Sequence, residues 1–391
     1  MQLAHRGRRP LHHPHHIHMR ELALALLRFV RTNAVLCIAM LAAAVTSVIV
    51  PPDAAYLGYF DLKTLSCLFC TLAVVCALKN IRFFTILAKR IVRATGNIRT
   101  AVLALVVITF VGSMLIANDM ALLTFLPLGY FILSCTGQEK HMAFTFIMQN
   151  IAANLGGMLT PFGNPQNLYL YSHFNIPNGE FMTIMAPPFA LAIALIALCC
   201  VVFVPRERIE VKDEDTRLPF ARTMLYLALF VLSIAIVFRT IPYVVGLVLI
   251  PLVLLFADRD ALKKVDYPLL LTFVCFFIFA GNMGRIDVVR DFFSALLDRS
   301  VLLVSALSCQ VISNVPSAIL LSQFTDNYRE LLLGVNLGGA GTLIASLASL
   351  ITFREYVSHN PSKTGAYILR FSAFNFGFLA ILLVFSFVFL I

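Results

Sequence analysis

Charge is what this chain has least of. Asp, Glu, Lys and Arg make up 13% of its 391 residues, where an ordinary soluble domain carries roughly 25%. Acids are the scarcer sign, 20 against 30 basic residues. Hydrophobic residues account for 60%, and the mean hydropathy is +0.89. Folding alone cannot hide that excess, because a folded soluble domain still needs polar groups to cover its surface. The composition excludes a soluble globular domain and makes lipid the solvent. A spanning helix needs about 20 apolar residues, so the length allows about ten crossings.

Other absences narrow the function. There is no Walker-type phosphate loop, which argues against ATP-driven transport by this chain alone. No base or nucleophile accompanies the membrane acid Asp119, and His141 and His173 fall in predicted loops, so the paired groups of an intramembrane hydrolase are missing. No basic stripe is interleaved with stacking aromatics, so no nucleic-acid partner is expected. The nine cysteines lie in or beside apolar runs and read as small buried hydrophobes. Cys67 and Cys70 form a C-x-x-C, but no second ligand pair accompanies them, and neither a metal site nor a disulfide framework is expected. The start lacks a signal-peptide pattern. Six of the nine histidines crowd into residues 1–18. That tail reads as a metal-binding segment, or else as a disordered extension or a start placed upstream of a true one at Met19, and its biased composition favours the latter pair.

What is there is a series of apolar segments, at 34–50, 62–78, 100–134, 143–170, 181–204, 223–239, 242–257, 269–283, 300–333, 336–352 and 371–391. Segments 100–134 and 300–333 are too long for one helix. Each has a polar break, Ala117-Asn118-Asp119 in one and Ser313-Asn314-Val315-Pro316 in the other. Loops 1–33, 79–99, 135–142, 205–222, 258–268 and 353–370 hold 24 of the 30 Lys and Arg. The positive-inside bias then puts them and the N-terminus in the cytoplasm, with the C-terminus outside. On that topology 100–134 starts and ends inside, as two full crossings or as a re-entrant hairpin. Segment 300–333 does the same from the outside. The chain divides into a basic His-rich segment (1–33), a first membrane repeat (34–204), a cytoplasmic linker (205–222) and a second repeat (223–391).

The repeat rests on matching polar islands. Asn154-Leu155-Gly156-Gly157-Met158-Leu159-Thr160 returns as Asn336-Leu337-Gly338-Gly339-Ala340-Gly341-Thr342, 182 residues on, and Asn118 returns as Asn314 at an offset of 196. Each half reads as a spanning helix, an interfacial segment, a broken hairpin, a broken helix and a final helix. The charge-based topology puts the two hairpins on opposite faces. The expected fold is an all-α polytopic membrane protein of two inverted repeats, each with a re-entrant hairpin and a broken helix. Interrupted backbone in hydrocarbon survives only where it is buried in protein or lines a polar cavity, and half-helix ends there bind solute and coupling ion in secondary transporters. Small residues can also mark close helix packing.

At "ANDMALLTFLPL" (117–128), "NLGGMLTPFGNPQNL" (154–168), "SNVPSAILL" (313–321) and "NLGGAGTLIASLASL" (336–350), the chain resembles an ion-transporter superfamily. That superfamily contains arsenite permeases, citrate transporters, bacterial sodium/proton antiporters and divalent-anion/sodium symporters. The resemblance runs from about residue 60 to the end. It implies a scaffold part, a transport part holding two opposed hairpins, and elevator-like alternating access. The paired Ser-Asn-Thr signature of the sodium-coupled dicarboxylate branch is missing; those regions read Gly163-Asn164-Pro165 and Ser346-Leu347-Ala348-Ser349. The first half also lacks a full leading helix, because Arg28 and Arg31 interrupt residues 22–33.

The candidate solute-binding residues are Asn118, Asn154, Gly156, Gly157, Thr160, Asn164, Asn314, Ser317, Asn336, Gly338, Gly339, Thr342 and Ser346, and Asp119 is the candidate for ion coupling. No Lys, Arg or His falls in a tip or a Gly-Gly break. An anion would rely on half-helix N-termini, amides and hydroxyls. Gln166 and Asn167 extend the list, with Asn167 placed to pair with backbone, and Cys309 near the second tip is either a soft-metalloid ligand or a packing thiol. The function expected is secondary active transport of a small anion, an organic acid, coupled to H+ or Na+, with no other cofactor. Alternatives are arsenite or antimonite efflux, sodium/proton antiport, and a non-transporting membrane scaffold. The expected location is the inner membrane of a prokaryote, with lipid as partner and a homodimer left open.

Overall fold

The computed structural model describes residues 14–211 and 216–391. Linker residues 212–215 and the tail reading of residues 1–13 lie outside the described residues. Among the described residues the chain is helical, and its one strand-type pairing is an isolated bridge between Asn97 and Arg208. The first half contains α1 (Pro14–Thr32), α2 (Ala34–Ile49), α3 (Leu62–Asn80), α4 (Phe83–Arg93), α5 (Ile98–Ile116), α6 (Asn118–Cys135), α7 (Met142–Gly156), α8 (Pro165–His173) and α9 (Asn178–Phe203). The second contains α10 (Phe220–Val237), α11 (Tyr243–Ala257), α12 (Arg259–Lys263), α13 (Tyr267–Met283), α14 (Asp287–Arg299), α15 (Val301–Ile312), α16 (Asn314–Leu321), α17 (Tyr328–Leu337), α18 (Leu347–His359) and α19 (Thr364–Phe389). Seven helices among the described residues are long and apolar enough to cross a membrane. Their outward side chains are apolar, as lipid requires; Val231 on α10 is 65% exposed.

Local chemistry sets the starts of these helices. Asp61, Asn97, Asp266, Ser300 and Asn327 each accept a backbone N–H in the first turn of α3, α5, α13, α15 and α17. That contact satisfies a donor the helix itself leaves free. Packing sorts the helices into two groups. In one, α2 lies along α13, while α10 and α11 lie along α3. Asn282 ties the first pair, donating to Thr46 Oγ (3.2 Å) and accepting from the Tyr59 hydroxyl (2.9 Å). The other group contains α5 to α8 and α15 to α18, with α9 and α19 against it. The groups meet where α16 touches α13 and α8 touches α3.

The loops fall into two sets, and each hydrogen bond between loops stays within one. Asn80 bonds Asp258 and Asp260, Ile98 N donates to Glu207 O, Gln138 and Lys140 reach Glu207, and Asn360 donates to Met142. These are the loops that the charge pattern assigns to one face. On the opposite face Arg285 pairs with Asp53 (2.7 Å), Ser172 donates to Asp61, Arg239 donates to the carbonyls of Tyr171 and Ile176, and Arg329 donates to Leu390 O. The bond from Arg285 holds the Asp53 carboxyl below its usual range, and the bond from Gln138 with nearby Lys140 does so for Glu207. A lowered carboxyl stabilises the fold above the unfolded value of about 4 and loses that contribution as pH falls through the folded one.

Two long apolar segments resolve differently from one another. Segment 100–134 becomes α5 and α6, of 19 and 18 residues, with both ends on the basic face. Segment 300–333 contains α15 and α16, of 12 and 8 residues, and then the start of α17 after a polar turn at 322–327. At about 1.5 Å per residue, the arms of the second hairpin are too short to cross. Residues 14–32, read as tail and incomplete leading helix, form one helix bent 96° from α2.

Candidate functional site

Both Gly-Gly stretches break their helices. α7 stops at Gly156 and α8 resumes at Pro165; α17 stops at Leu337 and α18 resumes at Leu347. Both hairpin tips turn on a non-glycine residue with positive φ: Ala117 at φ 74, ψ 157 and Ser313 at φ 79, ψ 165. This region is almost exclusive to glycine and costs of order 1–3 kcal/mol, so it persists only where the surroundings enforce it. Each tip asparagine then accepts the next backbone N–H at 2.9 Å, Asn118 from Asp119 and Asn314 from Val315.

The correspondence continues contact by contact. The Thr160 hydroxyl donates to Met114 O at 2.9 Å, and that of Thr342 to Gln310 O at 3.0 Å. Ser113 donates to Ala153 O, and the Cys309 thiol to Val335 O at 3.9 Å. Asn164 caps α8 through Asn167 N (3.0 Å), as Ser346 caps α18 through Ser349 N (3.1 Å). Asn154 donates to Ser349 Oγ (3.5 Å), and Asn336 to Asn167 Oδ1 (2.6 Å). Every pair is related by an offset of 182 or 196 residues.

These contacts bring most of the sequence-derived candidates into one buried network. Asn336 also accepts from Asn164 (3.3 Å) and donates to Leu332 O (2.7 Å), while Asn154 reaches Gly339 O (3.5 Å). Ser346 and Ser349 share a bond at 2.9 Å. Asn314 joins from the second tip, its backbone N donating to Ala345 O (3.0 Å). A Cβ on Gly157 would lie 2.8 Å from Gly163 O and 3.2 Å from the amide of Asn164, whereas one on Gly339 would meet Asn336 O at 3.3 Å and the amide of Asn314 at 3.5 Å. Asn118 and Asp119 sit in the first turn of α6, which packs on α7 and α18. Among the described residues the Asp119 carboxylate has no hydrogen-bond partner.

Other candidates take structural places. A Cβ on Gly338 would lie 2.7 Å from Gly334 O and 2.9 Å from both Ala306 O and Cys309 Cβ, and one on Gly156 would overlap the Phe110 carbonyl. Both glycines let a broken helix approach the first arm of its hairpin. Gly156→Ala and Gly338→Ala should each lower stability by about 1–3 kcal/mol, the cost of overpacking against atoms with little freedom to move. Thermal unfolding in detergent would read this. Ser317 turns into its hairpin to bond Ser308 (2.8 Å), and Cys309 is buried against α17. Asn167 pairs with backbone as expected, donating to Gly157 O and Met158 O, and also joins Asn336. Cys67 and Cys70 are buried in α3.

Three network residues escape the sequence reading. Gln310 braces the second break, donating to Gly338 O (2.8 Å) and Ala340 O (3.1 Å) and accepting from Thr342 N (2.9 Å). Asn150 donates to Ser349 at 3.3 Å. Asn150 lies one helical turn before Asn154, and Ser349 is the repeat partner of Asn167; both spacings are visible in the sequence. The side-chain carbonyls of Gln149, Asn150, Asn154 and Gln166 are buried without a partner among the described residues.

Four helices begin around this network, α6, α8, α16 and α18, and four end there. The beginnings carry partial positive charge and the ends partial negative charge. A separate cavity of about 600 Å³ opens between the two helix groups on the face opposite the basic loops, lined by residues that include Tyr59, Asp61, Tyr169, His173, Arg285 and Arg290.

Span-length apolar helices around a buried, broken-backbone polar site define an integral membrane transporter of a small solute. Residues 22–328 match the citrate transporter family (CitMHS), and the chain belongs to that family. It is similar to an uncharacterized transporter of Methanocaldococcus jannaschii, 31% identical over 78% of this chain and 84% of the relative. It is also similar to the inner membrane protein YbiR of Escherichia coli, 29% identical over 70% of this chain and 74% of that protein. Family and relatives mark a transporter and not an enzyme.

Proposed function

We propose that this protein is a secondary active transporter of a small organic anion, driven by a proton or sodium gradient. The observation that carries this reading is the meeting of the N-termini of three short helices, α8, α16 and α18, at one buried amide network that contains no Lys, Arg or His, with α6 packed on α18. Helix N-termini favour carboxylates without a full counter-charge, so an anion can be held and still released. The unpartnered carbonyls of Asn150 and Asn154 and the carboxylate of Asp119 supply oxygen ligands for a coupling cation or a site for a proton.

The two halves act as an inverted repeat. Hairpin α5–α6 has its ends with the basic loops, while hairpin α15–α16 has its ends on the other face, where Ser322 meets Tyr169. The group α5–α8 with α15–α18 is the moving part, α2, α3, α10, α11 and α13 are the scaffold, and an elevator displacement alternates access. The basic face is cytoplasmic by the positive-inside bias, in the inner membrane of a prokaryotic cell. The test is uptake of labelled citrate and other small carboxylates into proteoliposomes under imposed proton or sodium gradients. Accumulation should require one of the two. Uptake indifferent to both, or no carboxylate uptake, would overturn the reading.

A further inference from the structure

We propose that α1 is an interfacial anchor that lies flat on an acidic phospholipid surface. Among the described residues the packing of α1 is on α2, which it meets at its end, and its side chains from Ile17 to Arg31 are exposed. At 100° per residue, Met19, Leu22, Leu26, Phe29 and Val30 share one side, and Arg20, Glu21, Arg28, Arg31 and Thr32 the other. Those five apolar side chains are between 43% and 66% exposed. A helix that crossed the bilayer would be apolar all round; one with a basic face suits the boundary between headgroups and acyl chains.

Orientation and charge choose the occupant. α2 ends near Asp53, whose partner Arg285 lies on the face away from the basic loops, so its start and α1 lie on the basic face. The 96° bend at Asn33 then turns α1 away from the axis of α2, which packs along α13, and into the plane of that surface. Three arginines against one glutamate on the wet side match an anionic leaflet better than a second copy of the same basic helix, and each arginine near such a surface strengthens binding about fivefold.

The chain contains no tryptophan, so one introduced indole reports alone. Leu26→Trp places it on the apolar side and Leu24→Trp, between arginines on the wheel, on the other. Both full-length variants are reconstituted into phosphatidylcholine vesicles with and without phosphatidylglycerol. L26W should emit to the blue of L24W and be quenched more by lipids brominated near the top of the acyl chain than near its end. L24W should answer to aqueous iodide. The blue shift of L26W should grow with phosphatidylglycerol, and adding Arg20→Gln, Arg28→Gln and Arg31→Gln should remove that dependence. Strongest quenching from deep labels (a spanning helix), equal iodide access for both indoles (a helix free in water) or emission set by protein density (a second copy) would each overturn the proposal. None of these readouts needs transport.

Discussion

Asn336→Ala should abolish most transport, lowering uptake by at least about tenfold, and should destabilise the fold as well. The Asn336 side chain makes three contacts, donating to Asn167 Oδ1 and Leu332 O and accepting from Asn164. Alanine leaves Asn164 Nδ2 and Asn167 Oδ1 without those partners in a buried site. Each orphaned buried polar atom costs about 1–3 kcal/mol, and about 1.4 kcal/mol is tenfold in an equilibrium constant. Asn164 caps α8 and Asn167 holds the carbonyls of the first break, so losing one amide in the second half loosens the break in the first. Asn336→Asp is the sharper probe. It keeps the acceptor for Asn164 but sets an anionic oxygen against Asn167 Oδ1, where a donor now makes a 2.6 Å bond. Uptake near the native rate in both variants, at equal protein per liposome, would detach the network from transport.

Much of this site is legible in the sequence because membrane helices tolerate so few exceptions. A Gly-Gly or Asn within an apolar run needs a reason, and two copies at matched spacing supply one. The breaks at 157–164 and 338–346 and the tips beside Asn118 and Asn314 follow from that. What the letters do not carry is direction. Gly156 and Gly157 look alike, yet one packs on the Phe110 carbonyl of the hairpin while the other faces Gly163 O and the Asn164 amide within the break, because a single step along a helix turns a Cβ by about 100°. The residues that bear the strained tip conformation, Ala117 and Ser313, announce nothing, since neither belongs to the types that favour positive φ. Gln310 is hidden for a related reason. Its repeat partner is Met114, which offers the same backbone carbonyl to a threonine but no amide, so a search for matched polar residues passes over it.

The unequal hairpins are the other feature the sequence blurs. Runs 100–134 and 300–333 have nearly equal length, yet the second includes the turn at 322–327 and the start of α17. Apolar content alone does not separate a short arm with a loop from a long arm. The consequence is mechanical. The longer hairpin adds packing on α4 and α18, whereas the shorter one touches α13 through α16. Equivalent positions in the two halves are therefore held by unequal surroundings. Substitutions at the second tip should move access from its face more than the matching ones do at the first.

Asp119→Asn should separate gradient-driven accumulation from exchange. The carboxyl group stands in the first turn of α6, and among the described residues nothing bonds it. An acid placed that way in a membrane segment is costly unless it is hydrated or holds an ion or proton during the cycle. Asparagine keeps the shape and removes the charge. If Asp119 carries the coupling ion, accumulation against a gradient should fall to the equilibrium level, a loss of at least about tenfold for a coupling worth about 1.4 kcal/mol. One-for-one exchange of preloaded solute, which needs no net ion movement, should persist. Proton coupling predicts that uptake by D119N becomes flat with pH, with Asp119→Glu retaining part of the slope. Sodium coupling predicts instead a D119N protein that still answers to sodium, but only at higher concentration. Accumulation by D119N equal to the native protein under both gradients would leave Asp119 as a helix-end residue alone, and would move the search for the coupling site to the unpartnered carbonyls of Asn150 and Asn154.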